Sequence, residues 1–199
     1  MGTNMNIKKT SGRRLGLTAL TAALLLSTAA CSSPEQKLQK FTQSGLEYLE
    51  KGDLGRANVE LQNALKIDED HVPALLGIVE IAERRQDFRN MFGALQKVVR
   101  LDPRQVDAQV KLGKLYLVGG DEKAALEAAE AALALQPENA EAIALRAAVQ
   151  LKLDDMAGAV KLARQALEIN PTTPEAVAVV ATERARAGGN AGALAEVGA

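Results

Sequence analysis

From Leu38 onward, apolar residues recur at steps of three and four, with Gly, Asp and Pro punctuating the pattern at short intervals. That spacing predicts amphipathic helices and an all-α chain. The pattern also repeats. Ala57, Met91, Ala125, Ala159 and Ala193 fall 34 residues apart, and Ala64, Val98, Ala132 and Ala166 keep the same step. So do Gly45, Val79, Gly113, Ala147 and Ala181, the Asp53, Asp87, Asp121 and Asp155 column, and Pro103, Pro137 and Pro171. A fixed 34-residue step without an insertion predicts stacked helical hairpins. The frame divides the chain into units 38–71, 72–105, 106–139 and 140–173, with a partial unit over 174–199.

Each column has a mechanical reading. Two antiparallel helices approach closely where the residues are Gly or Ala, and larger side chains such as Tyr48, Leu61, Leu95 and Tyr116 fill the remaining space. Gly52 and Gly120 punctuate helix ends, the Asp after them can cap the next helix, and Pro marks the exit from the second helix because it cannot continue one.

These residues resemble the tetratricopeptide repeat (TPR) family over about 38–197, most clearly in unit 3, with Leu112, Gly113, Tyr116, Ala125, Ala132 and Pro137 at family positions. The resemblance implies a right-handed α-solenoid. Met91 and Val98 replace small residues in unit 2, and Arg146, Gln150 and Arg184 occupy normally apolar first-helix positions. The chain is expected to enter a second helix of unit 5 that Gly188-Gly189-Asn190 and Gly192 weaken. A frayed end or continuation into a longer array would both fit it.

The first thirty residues depart from this pattern. A basic stretch to Arg14, a largely apolar stretch of twelve residues (Leu15–Leu26) and the small residues Ser27-Thr28-Ala29-Ala30 precede the single cysteine, Cys31. That is the layout of a secretory signal, and its apolar run is short for a membrane span, which needs about 20 residues. Small residues before a lone Cys resemble the lipobox of bacterial lipoproteins, although Thr28 stands where that family usually has Leu. The resemblance implies cleavage before Cys31, lipidation there and, since Ser32 is not Asp, residence on the periplasmic face of the outer membrane. Residues 31–37 then form a short linker, which holds the array against its membrane.

Composition narrows the functional classes. With 3% aromatic and 47% hydrophobic residues, the core must be built from Ala and Leu. Setting aside Lys8, Lys9, Arg13 and Arg14 leaves 20 basic against 25 acidic residues, a net charge of −5. That argues against nucleic acid, whose phosphates call for clustered Lys and Arg. His71 is the only histidine and reads as a residue of the joint between units 1 and 2. Asp68-Glu69-Asp70 and Asp154-Asp155 read as solvated turns because calcium-loop spacing is missing. Gly119-Gly120-Asp121 lacks the Gly-Lys-Ser/Thr of a phosphate loop. No nucleophile, base and orienter can be assembled, so no catalytic, metal or cofactor site and no small-molecule substrate is expected.

The TPR resemblance implies that first helices line an inner groove. Carried over position by position, the groove holds Thr42, Leu46, Leu49 and Glu50; Leu76, Glu80, Glu83 and Arg84; Val110, Lys114, Leu117 and Val118; and Ala144, Ala148, Leu151 and Lys152. An apolar stripe with a few charges suits a partner helix or extended peptide. The alternative is that its leucines only pack within the array. Thr42 and Leu46 stand where a carboxylate-clamping TPR has Lys and Asn, which sets that partner class aside. Lipobox, short linker and the stretch Glu60-Leu61-Gln62-Asn63-Ala64-Leu65 are similar to lipoproteins of exosortase (PEP-CTERM) exopolysaccharide systems. Leu46–Asp53 is also similar to the first repeat of type IV pilus pilotins, which help assemble the secretin. Beside an envelope scaffold stand two other readings, the N-terminal module of a longer envelope enzyme and a lipid or glycan carrier.

Overall fold

The computed structural model describes residues 1–2 and 33–197; Cys31 and the leader lie outside the described residues. The first helix, α1 (Pro34–Glu50), begins inside the stretch expected to be linker. Ser33 Oγ accepts the Gln36 backbone N–H at 3.2 Å, and Gln36 Oε1 accepts that of Ser33 at 3.0 Å. This reciprocal capping, with Pro34 at the first helical position, satisfies two donors that a helix start otherwise leaves open. Only Ser32 and Ser33 therefore separate Cys31 from the helix.

Eight further helices follow among the described residues: α2 (Leu54–Ile67), α3 (Val72–Arg84), α4 (Phe88–Leu101), α5 (Val106–Val118), α6 (Glu122–Leu135), α7 (Ala140–Lys152), α8 (Met156–Ile169) and α9 (Pro174–Val197). The fold is an all-α solenoid of hairpins α1–α2, α3–α4, α5–α6 and α7–α8, each stacked on the next.

One device closes all four hairpins. Gly52, Gln86, Gly120 and Asp154 adopt left-handed φ of 76°, 56°, 79° and 62°. The Asp that follows donates its N–H back across five residues, to the carbonyls of Tyr48, Ala82, Tyr116 and Gln150 at 2.8–2.9 Å, which ends the first helix. Its carboxylate then accepts a backbone N–H of the second helix, at 3.0 Å from Arg56, 3.2 Å from Asn90, 2.9 Å from Ala124 and 3.0 Å from Gly158. The Arg56 N–H is also the main reason that the Asp53 carboxyl lies below its ordinary pKa. This cap is therefore present above the unfolded-state pKa and is lost as the pH falls through the folded one. Replacing Asp121 by Ala is expected to lower stability by about 1 kcal/mol, read as a shift in the urea midpoint at unchanged slope.

The core follows the same step. Ala57, Leu61 and Ala64, and their counterparts Met91, Leu95 and Val98, are buried on the second helices of units 1 and 2. The small residues facing them are needed for close approach: a methyl group on Gly45 would lie 2.6 Å from Leu61 Cγ, and one on Gly77 would lie 2.6 Å from Leu61 Cδ1. Leu61 thus fills notches in both α1 and α3. Leu145 of α7 occupies the equivalent space beside Gly113, whose added methyl would lie 2.5 Å from Leu145 Cδ2.

The fifth unit departs from expectation. No turn forms at Gly188-Gly189, and α9 runs unbroken through 24 residues. Gly188 stands at the left-handed position, but Gly189 replaces the capping Asp, so the carboxylate that starts every other second helix is missing.

Candidate protein-binding face

First helices lie side by side on one face of the array, joined by a ladder of polar contacts. Arg84 of α3 donates Nη1 to the Leu49 carbonyl of α1 at 3.0 Å and pairs with Glu80 on its own helix. Glu83 of α3 pairs with Lys111 of α5. Lys114 of α5 bonds Glu141 of α7 and Glu175 of α9, both at 2.9 Å. Burial is the strongest single influence on Lys114 and opposes its charge, but the hydrogen bonds and fields of the two carboxylates together outweigh it and raise its pKa.

Between α3 and α5 this face holds a depression of about 370 Å³, lined by Leu76, Glu80, Glu83, Arg84, Asp107 and Lys111, among others. Elsewhere on the first helices Leu117 and Leu151 are half-exposed, and Leu46 (37% exposed) and Val118 (87%) are more open. Glu50 and Lys152 are exposed in the column of Arg84 and Val118. Ala148 is half-buried.

Four residues expected in the groove are not available to a partner. Thr42, Leu49, Val110 and Ala144 are buried. Thr42, Val110 and Ala144 share a column with Leu76, which is half-buried and lines the depression, but their own side chains are enclosed between helices. Val110 packs among Val106, Ala132 and Ala142, between its own second helix and the next first helix. Thr42 gives its hydroxyl to the Leu38 carbonyl at 2.9 Å, and Leu49 packs with Ala57, Leu61 and Ile81. Glu80, Glu83, Arg84 and Lys114 lie where expected, but they spend their charge on neighbouring helices.

Sequence reasoning missed Asp107, Glu141 and Glu175. They form a column of their own at 34-residue spacing, and that acidic run in successive units was the signal. His71 caps the start of α3 with its backbone, and its ring nitrogen lies 3.9 Å from Asp68.

Two overlapping stretches, residues 93–135 and 110–174, match the family model described as tetratricopeptide repeat. The fold is that of TPR solenoids. The structure of MamA is similar with a TM-score of 0.63 and 23% identity, over 69% of this chain and 75% of that one. PilF of Pseudomonas aeruginosa is similar with a TM-score of 0.59 and 21% identity, over 77% of this chain and 72% of that one. An O-GlcNAc transferase of Thermobaculum terrenum is similar with a TM-score of 0.57 and 18% identity, over 69% of this chain but 27% of that one. No curated protein matches in sequence.

Proposed function

We propose that the protein is a lipid-anchored scaffold of the bacterial envelope, held at the periplasmic face of the outer membrane through Cys31, whose first-helix face binds a helix or extended peptide of a protein partner. The observation that carries this reading is the pairing of open apolar side chains, Leu46 and Val118, with a face whose charges are largely neutralised within the array. An apolar surface rimmed by polar groups is what a partner helix covers. The lipobox resemblance at Cys31 supports the anchor, since several acyl chains at about 0.8 kcal/mol per buried methylene hold a protein where one chain is marginal. With two residues between Cys31 and α1, the array stands within about 10 Å of its attachment point at 3.5 Å per extended residue.

The test uses the intact protein as bait in detergent-extracted envelopes, beside Leu46→Glu/Val118→Glu and Cys31→Ser variants. The charged variant is expected to lose its partner at least tenfold while keeping its helical signal. Cys31→Ser is expected to leave the membrane fraction and incorporate no labelled palmitate. Partner capture unchanged by the double variant sinks the groove, and palmitate on Cys31→Ser sinks the anchor. The partner recovered then decides the system, which we place in exopolysaccharide (PEP-CTERM) export, with secretin assembly of the pilotin kind as the alternative.

A further inference from the structure

From unit 2 onward, each first helix turns one face toward the unit before it. On α3 that face holds Ala74, Gly77 and Ile81. Ala74 and Ile81 pack with Ala57, Leu61 and Ala64 of α2, and a methyl group on Gly77 would meet Leu61 Cδ1. Ala108, Ala142 and Ala176 follow Ala74 at the 34-residue step, and all four are buried. On α1 the same three positions hold Lys40, Gln43 and Glu47, all exposed, with Lys37 exposed one turn earlier. Steps of three and four keep these side chains on one side of the helix. The face that carries later units on earlier ones is therefore polar in unit 1.

The charges on this face are unevenly engaged. Glu47 accepts the Gln43 amide at 3.0 Å. The acidic loop after α2 is drawn to the second unit, where Lys97 of α4 lies 3.0 Å from Asp70 and donates to the Glu69 carbonyl at 2.6 Å. Glu35 sits in the first turn of α1, where it balances the positive end of the helix. Lys37 and Lys40 have no carboxylate partner among the described residues.

We infer that this face of α1 rests on anionic phospholipid headgroups of the bilayer that holds Cys31, so that the array stands up from the membrane with unit 1 at its foot. The inference rests on the lipid anchor proposed above. Two residues separate Cys31 from α1, and Lys37 and Lys40 follow about 5 and 9 Å along the helix from Pro34. Both lie within about a Debye length, 10 Å at 0.1 M salt, of the helix start, and basic residues beside an anionic surface are attracted to it. The later units stack on the other side of α1. At 8–10 Å per helix step, α7 stands roughly 24–30 Å further out. Leu46, six residues beyond Lys40, is turned about 120° from it around the helix, so the partner-binding side runs up the column clear of the lipid.

The test reconstitutes the full lipidated protein into vesicles of phosphatidylcholine, with or without phosphatidylglycerol, that carry a nitroxide on the headgroup. A fluorophore is placed at Gln43→Cys or at Leu153→Cys in unit 4. With phosphatidylglycerol present, the label at 43 is expected to be quenched several-fold more than the label at 153. Adding Lys37→Glu/Lys40→Glu should bring quenching at 43 down to the level at 153, with acyl mass, vesicle retention and helical signal unchanged. Two lysines at such a surface shift the orientation equilibrium by about thirty-fold. In acylated protein, equal quenching at the two sites overturns the inference, as does quenching at 43 that ignores the charge reversal or the anionic lipid. The face is then a polar cap turned to solvent. Protein that carries no acyl mass and leaves the vesicles overturns the anchor, and this orientation with it.

Discussion

Replacing Leu61 by Ala is expected to lower stability by about 2–5 kcal/mol, the range for removing a fully buried leucine where the surroundings relax only partly. Collapse into the space is hindered here. The side chain fills notches against Gly45 and Gly77 at once, and both notches lie on backbone that the hairpin turns hold in place. The loss therefore falls on a joint as well as on a unit. Stability of a solenoid is approximately a sum of unit terms and nearest-neighbour terms, so weakening the first joint should let α1–α2 unfold ahead of the rest. Urea unfolding followed by circular dichroism should change from one transition to two. Leu46→Ala, at a more open site, serves as the control and should stay within about 1 kcal/mol. A Leu61→Ala protein with one transition and less than about 1 kcal/mol lost would contradict this account of the joint.

Lys114→Met is expected to cost about 1–3 kcal/mol, through what it leaves behind. Lys114 bonds Glu141 and Glu175, and the second oxygen of Glu175 is already enclosed without a hydrogen-bond partner among the described residues. Without the ammonium group, that carboxylate keeps its burial and loses its counter-charge. Adding Glu175→Leu to Lys114→Met should recover most of the loss, since replacing both partners removes the stranded group. The pH dependence separates this from simple packing. The folded-state pKa of Lys114 lies above its ordinary 10.5. Its stabilising contribution is therefore complete below about pH 10.5 and fades as the pH rises through the folded value. The variant and the native protein should converge in alkaline solution. A gap that is constant from pH 7 to 11, or no recovery in the double variant, would refute the electrostatic role.

The solenoid was legible because its mechanical parts recur: the Asp caps, the small residues at helix crossings and the Pro exits all stand in 34-residue columns. The start of α1 lies ahead of the apolar periodicity and is marked only by the capping pattern Ser33-Pro34-Glu35-Gln36, which is why the expected linker ran too far. The unbroken α9 was missed because Gly188-Gly189 was weighed as a helix breaker. Gly189 matters more as an absent carboxylate, and only comparison down the Asp column shows that. Of the positions expected to face a groove, Leu46 and Val118 are exposed. Thr42, Val110 and Ala144 were misplaced because a position on an inner helix face does not say whether its side chain points out or sideways into the next unit. That choice depends on the angle between neighbouring units, which no single unit encodes. Lys114 had the same difficulty, since its partners lie 27 and 61 residues further along the chain.

Leu61 belongs by sequence to the first unit and by contact to two, and Leu145, of the fourth unit, reaches back to Gly113 of the third. The genetic period and the mechanical period share a length but have no common starting point. A piece excised at residue 72 takes Leu61 away from Gly77, and one excised at residue 54 takes it away from Gly45. Choosing another phase only moves the wound to a different joint. Nor is the joint the same bond each time: the column of Gly77 holds Lys111 and then Leu145, so removing one 34-residue step sets a lysine where Leu61 needs a glycine.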